Sequence, residues 1–289
     1  MKINNKAMVA MSVLGAAGLI SPGLSTAQSF QDEVSYQNMS IENDSGTSSM
    51  DINAIFVSHF FDSLSTNSGP LAEAAFLGRV SDIHAGYGDV AFTVLSNDLD
   101  GSVWELGANY FVPGSDYFFA VDIRSMEVSL AALEATFDTR VISGGMYLDD
   151  QFTIELEYST EVAGTSISPD TDYVDITVRA KRLLDMGGQT VNVEGSVSSS
   201  EADNSTISAT NTIMAFSGDY YVNDMFSVGL GFSSNSGDDL SDEGLTTAFS
   251  ARYFFTPTVS LALNMEQFSA DNAGNEDEDT LEIELMARF

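Results

Sequence analysis

Leu281-Glu282-Ile283-Glu284-Leu285-Met286-Ala287-Arg288-Phe289 ends the chain, and its side chains split by parity. Leu281, Ile283, Leu285, Ala287 and Phe289 fall on one set, and Glu282, Glu284, Met286 and Arg288 on the other. Successive side chains of a strand point to opposite faces, so this pattern predicts a strand with one apolar and one polar face. The split recurs upstream. Phe152, Ile154, Leu156 and Tyr158 alternate with Thr153, Glu155, Glu157 and Ser159. Val174, Ile176, Val178 and Ala180 alternate with Asp175, Thr177, Arg179 and Lys181. Similar segments surround Trp104–Val112, Tyr117–Arg124, Val191–Val197 and Phe226–Ser233. No charge sits on the apolar parity of these segments. A basic side chain facing lipid near the bilayer midplane costs about 2–4 kcal/mol, which accounts for the segregation.

The compartment is read from the other end. Lys2 and Lys6 precede an apolar run from Ala7 to Ile20, followed by Pro22, Gly23 and Ser25-Thr26-Ala27. This arrangement predicts a secretory leader over residues 1–27, cleaved after Ala27, with the mature domain at 28–289. The run is short of the ~20 apolar residues that a spanning helix needs. Cysteine is absent, so no disulfide framework is available. The formal net charge is -33, or -35 without Lys2 and Lys6. Nucleic-acid binding needs a basic surface to displace counterions and is therefore excluded. With 44% apolar or aromatic residues spread along the chain, disorder is excluded as well.

A soluble β-sandwich also alternates. Three features favour an all-β, antiparallel, up-and-down transmembrane barrel. First, fourteen strands are legible, at 30–40, 50–61, 71–82, 101–112, 116–126, 137–148, 151–161, 170–182, 189–199, 208–222, 225–234, 244–255, 258–269 and 279–289. Twelve or sixteen are alternatives, because 83–97 and 128–137 read as strand or loop. Every second connection is tight (Pro113-Gly114-Ser115, Asp149-Asp150, Asn223-Asp224, Thr256-Pro257), and those between are longer and polar, such as Asn235–Glu243. Second, aromatics cluster beside the tight turns, at Tyr110, Phe111, Tyr117 and Phe118, and again at Tyr253, Phe254 and Phe255, as in an interfacial belt. Third, the chain ends inside a strand, and unpaired backbone is not tolerated in lipid, so the first strand must close on the last. The terminal Phe289 resembles the assembly signal of outer-membrane barrels, which implies recognition by the barrel-assembly machinery.

Gly69-Pro70-Leu71-Ala72-Glu73-Ala74-Ala75-Phe76-Leu77-Gly78-Arg79 resembles an early motif of the putative general bacterial porin family. Gly144-Gly145-Met146-Tyr147-Leu148 resembles that family's glycine-tyrosine-leucine strand end. The resemblance implies a passive pore for small hydrophilic solutes or ions in the Gram-negative outer membrane, and it names no solute. The surrounding partners are then membrane lipid and lipopolysaccharide. A homotrimer is the porin precedent, although no residue pattern requires it.

With the polar parity inward, the expected pore lining carries Glu73, Glu105, Asp122, Glu155, Glu157, Asp175, Glu194, Glu266, Glu282 and Glu284. Against them stand Arg79, Arg124, Arg179, Lys181, Arg252 and Arg288. These charges either pair across neighbouring strands and stiffen the wall or set a field that filters ions, and both can hold together. The acidic excess predicts mild cation selectivity. The third outer loop, Met126–Asp138, reads either as a helical constriction or as an extension of its flanking strands. A non-conducting structural or adhesive barrel, with loops binding lipopolysaccharide or a partner, is the alternative. Acidic loops such as Asn97–Gly101, Asp238–Glu243 and Glu276–Asp279 suit divalent ions bridging to lipopolysaccharide phosphates, and equally suit simple solvation.

No cofactor motif and no metal-ligand spacing is present, and the residues specify no catalytic set. Barrel enzymes use Ser with His or paired Asp with His. Here only His59 and His84 are available, the first expected near a periplasmic turn and the second near the outer rim.

Overall fold

The computed structural model describes residues 29–46, 48–67, 69–94, 97–130, 133–165, 168–203, 208–237, 243–270 and 277–289. The leader expected over residues 1–27 lies outside them. Fourteen strands follow one another: β1 (Ser29–Asn43), β2 (Ser48–Ser65), β3 (Asp82–Val94), β4 (Asn97–Phe111), β5 (Tyr117–Leu130), β6 (Leu133–Asp149) and β7 (Phe152–Thr165) form the first half. The second half is β8 (Ser168–Asp185), β9 (Thr190–Asp203), β10 (Ser208–Asn223), β11 (Phe226–Gly237), β12 (Gly244–Thr256), β13 (Val259–Ala270) and β14 (Glu278–Arg288). Each pairs antiparallel with its neighbours in sequence, and β14 closes on β1. The closing register runs from Glu33 opposite Arg288 to Asn43 opposite Glu278. Closure leaves no unpaired edge, which is the condition for strands to cross hydrocarbon. No helix among the described residues is long and apolar enough to cross a membrane.

Parity decides which side chains meet lipid. Leu106, Val121, Leu156, Ile176, Leu230 and Leu261 are each at least 40% exposed, on the parity the sequence marks as apolar. A contiguous band of exposed apolar side chains around a closed sheet is a lipid-facing surface. The aromatic clusters divide by the same rule. Tyr110, Tyr117, Tyr253 and Phe255 stay exposed on the outside, while Phe111, Phe118 and Tyr147 turn inward and pack with ring centroids 5.6–6.1 Å apart.

Two expectations need correction. The segment 71–82 is not a strand. Leu71–Glu73 forms a 3-10 turn and α1 (Ala74–Gly78) follows, and the third strand is β3, thirteen residues from Asp82. Pro70 presets the entry to the turn, and the Leu-Ala-Glu-Ala-Ala composition favours helix. Over so short a run, alternating and helical periods overlap. Arg79 ends the helix in a left-handed conformation, φ 49°, with its N–H on the Ala75 carbonyl.

The connections at the outer end are also mostly shorter than the sequence suggests, although 238–243 and 271–277 still exceed the tight turns at 150–151, 224–225 and 257–258. Strands reach far past the band, β2 and β8 at 18 residues each, so the outer connections shrink. The longest connection, 66–81, lies at the other, periplasmic end. The third outer loop extends its flanking strands: β5 and β6 pair to Leu130 opposite Leu133. Of the two readings of that loop, the paired strands take the extension rather than the helical constriction.

Candidate functional site: the barrel interior and its periplasmic mouth

Side chains that reach one another across an intervening strand identify the interior parity. Arg252 on β12 spans β13 at Ala262 to meet Glu284 on β14, with Nη2 2.8 Å from Oε2. An alanine between them leaves room for the guanidinium. Adjacent strands supply the remaining pairs. Arg124 Nε donates to Glu105 Oε2 at 2.8 Å, and Arg288 Nε donates to Glu33 Oε2 at 2.8 Å across the closing seam. Arg179 lies 3.6 Å from Glu155, 3.8 Å from Glu157 and 3.4 Å from Glu194, so one cation faces three carboxylates. Asp175 accepts from Ser159 Oγ at 2.9 Å, and Glu282 from Asn264 Nδ2 at 3.1 Å. Glu266 is exposed opposite Ala248 and Thr280. Arg140 and Arg182 sit among the exposed side chains of the outward parity.

Glu73 and Arg79 are not on a wall strand, as the sequence suggested, but on the connection that crosses the periplasmic mouth. Anchors around the barrel hold this connection. Leu71 N–H donates to the Asp224 carbonyl in the β10–β11 turn at 2.9 Å. Arg288 Nη1 donates to the Leu71 carbonyl at 2.9 Å. Glu73, buried at 5% exposure, accepts the Tyr221 hydroxyl at 2.5 Å and lies 2.7 Å from Lys181 Nζ. The Tyr147 hydroxyl donates to the Phe76 carbonyl at 2.7 Å. Arg79 lies over the Tyr147 ring, 3.9 Å from its centroid, and reaches Asp116 at 3.2 Å and Asp150 at 3.0 Å in two further turns. Contacts to β6, β8, β10 and β14 can be made together only by a segment drawn across the opening.

Above this segment the interior changes character along its length. A cavity of about 410 Å³ beside Phe76 and Tyr147 is lined by Asp82, Asp122, Glu155, Glu157, Arg179 and Lys181. A second of about 340 Å³ lies nearer the outer end, against Met39, Met50, Ile52, Phe56, Met126 and Phe137, with Glu105 and Arg124 on its margin. The apolar chamber escapes the sequence reading because β1 and β2 invert the rule there: Met39, Met50 and Ile52 face inward while Asn38, Ser40, Asp51 and Asn53 lie on the outward parity.

The histidines part company. His59 is half exposed on the outside beside Phe61 and 2.8 Å from Asp32, near the periplasmic turn as expected. His84 is not near the outer rim. It stands at the periplasmic start of β3, inside, with Asp82 3.1 Å from Nδ1 and Asp122 2.8 Å from Nε2. Placing strand three at 71–82 put this residue at the wrong end.

Comparisons with known proteins agree with this architecture. A crystal structure of the outer membrane protein Omp33 of Acinetobacter baumannii superposes with a TM-score of 0.58 at 17% identity, over 91% of this chain and 99% of that one. The monoaromatic hydrocarbon channel CymD gives a TM-score of 0.54 at 10% identity, over 96% and 93%. At these identities the likeness is one of fold. A search of curated protein sequences returned no match. A family model described as "Putative general bacterial porin" matches residues 6–289, nearly the whole chain. The chain therefore belongs to that porin family, an outer-membrane β-barrel of fourteen strands.

Proposed function

We propose that this porin is a passive diffusion channel for small hydrophilic solutes or ions, with a mild preference for cations. The observation that carries the reading is Arg179 facing Glu155, Glu157 and Glu194 at once. Pairing consumes the interior cations and leaves carboxylates in excess, so a mobile cation entering the charged cavity is attracted while an anion is repelled. The sixteen charged residues from Glu73 to Arg288 named above are the proposed lining, with Glu73 and Arg79 acting from the mouth rather than from the wall. Leader cleavage after Ala27 and recognition of Phe289 by the assembly machinery belong to the same proposal. Phe289 ends the chain in register with β1, where its N–H donates to the Asp32 carbonyl at 2.8 Å.

A second reading is favoured by one observation, the many-anchored segment 69–79 across the mouth. Held there permanently, it makes the barrel a non-conducting scaffold whose extended outer hairpins meet lipopolysaccharide or a partner. Single-channel recording in a planar bilayer separates the two. Discrete conductance steps support the channel, and a protein that inserts but stays silent supports the scaffold.

A further inference from the structure

We propose that His84, Asp122 and Glu105 form a divalent-metal site of the zinc type on the interior wall near the periplasmic mouth. The three residues come from adjacent strands β3, β5 and β4, and one ligand atom from each lies within 4.8 Å of the other two. Nε2 of His84 is 2.8 Å from Asp122 Oδ1 and 3.9 Å from Glu105 Oε1. Ligand atoms bound at about 2.0 Å to one tetrahedral ion lie about 3.3 Å apart, between those two separations, so small rotamer adjustments seat the ion.

The surroundings are those of a prepared ligand set. Asp82 Oδ1 lies 3.1 Å from Nδ1 of His84 and accepts its proton, which leaves the Nε2 lone pair for a metal. Asn109 Nδ2 donates to both Asp82 oxygens, at 3.2 and 3.0 Å, and fixes that carboxylate in turn. Arg124 holds Glu105 by Oε2, so Oε1 stays turned toward the histidine. Gly107 sits between His84 and Asp122 in register. A Cβ at Gly107 would overlap both Asp122 Oδ1 and His84 Nε2. Glycine there is what lets an imidazole and a carboxylate meet across a strand. One nitrogen and two carboxylate oxygens suit zinc better than magnesium or calcium, which take oxygen ligands alone, and Asp122 borders the charged cavity.

The same contacts would also fit an imidazolium held between two aspartates, and titration calorimetry distinguishes the cases. Zinc chloride is titrated into the folded barrel in detergent with magnesium in excess, so that the acidic loops are already occupied. One zinc per chain is expected. His84→Ala should abolish that stoichiometric binding, and Asp82→Asn should weaken it about 10–100-fold by loosening the hold on the imidazole Nδ1–H. Asp122→Asn, which keeps the size and hydrogen-bonding capacity of the side chain, should also lose it and serves if His84→Ala does not fold. Each variant's folding is read from its heat-dependent gel migration. Absence of stoichiometric zinc in the wild type, or binding unchanged in His84→Ala or Asp122→Asn, would overturn the proposal. Binding is measured without conductance, so the result is independent of whether the barrel conducts.

Discussion

Lys181 Nζ on β8 lies 2.7 Å from the buried Glu73 carboxylate, tying one wall of the barrel to the segment drawn across its mouth. Glu73 also holds Tyr221 on β10, so one carboxylate fixes the segment to two strands. Removing the ammonium leaves a buried charge short of its counter-ion, at a cost of about 3–5 kcal/mol for such a broken pair. Lys181→Met is therefore expected to free the segment locally while the barrel stays closed. Unit conductance should rise, and residues 69–79 should become open to protease from the periplasmic side. Unchanged conductance and protection would show that this pair does not hold the segment.

Tyr147 tests the same anchoring more gently. Its hydroxyl donates to the Phe76 carbonyl while its ring lies under Arg79. Tyr147→Phe keeps the ring and removes one hydrogen bond, worth about 1 kcal/mol. The expected result is a small loss of stability in denaturant titration with the cation–ring contact intact. A loss several times larger would mean that the hydroxyl organises more than this one contact.

The two parities of β7 should answer oppositely to charge. Leu156 is 56% exposed on the lipid face, and Leu156→Arg should cost about 2–4 kcal/mol in folding into bilayers. Glu157 is its inward neighbour, and Glu157→Gln should cost at most about 1 kcal/mol, because Arg179 keeps Glu155 and Glu194. Equal costs at the two positions, measured by reversible unfolding from vesicles, would contradict the assignment of faces.

Most of the barrel was legible because lipid imposes a severe rule on every second side chain, and Phe152–Tyr158 of β7, Val174–Lys181 of β8 and Leu281–Leu285 of β14 obey it. The rule relaxes in three places, and each produced an error or a gap. Around Leu71–Gly78 the chain leaves the wall, and a few turns of Ala, Leu and Phe fit either period. Beyond the hydrocarbon, residues such as Asp98, Asp100 and Asp203 remain in strands because ladder pairing continues in water, yet their composition reads as loop. Inside the outer end, Met50, Ile52 and Phe56 face the cavity while Asp51 and Asn53 share the outward parity with Val57, so apolar and polar faces trade places along β2. The interior pairs between adjacent strands, such as Glu105 with Arg124, follow once register is known. Those that jump a strand, Arg252 to Glu284 over Ala262 and His84 to Asp122 over Gly107, need three strands in register at once.

Removing carboxylates from the Arg179 cluster should shift selectivity in a stated direction. In Glu155→Gln/Glu157→Gln the guanidinium keeps only Glu194, and the charged cavity loses two negative charges. The reversal potential under a salt gradient should move toward that of an anion-preferring pore, and more so at low ionic strength, where screening is weakest. A reversal potential unchanged from the wild type would place the selectivity filter elsewhere.

The claim beneath all of this is that water and ions cross the barrel along an acid-rich interior. The most direct measurement is the wild-type reversal potential in a planar bilayer separating concentrated from dilute potassium chloride. The expected result is discrete channels whose current reverses at a potential favouring potassium. Reversal at a potential favouring chloride, or no current from correctly inserted protein, would contradict it.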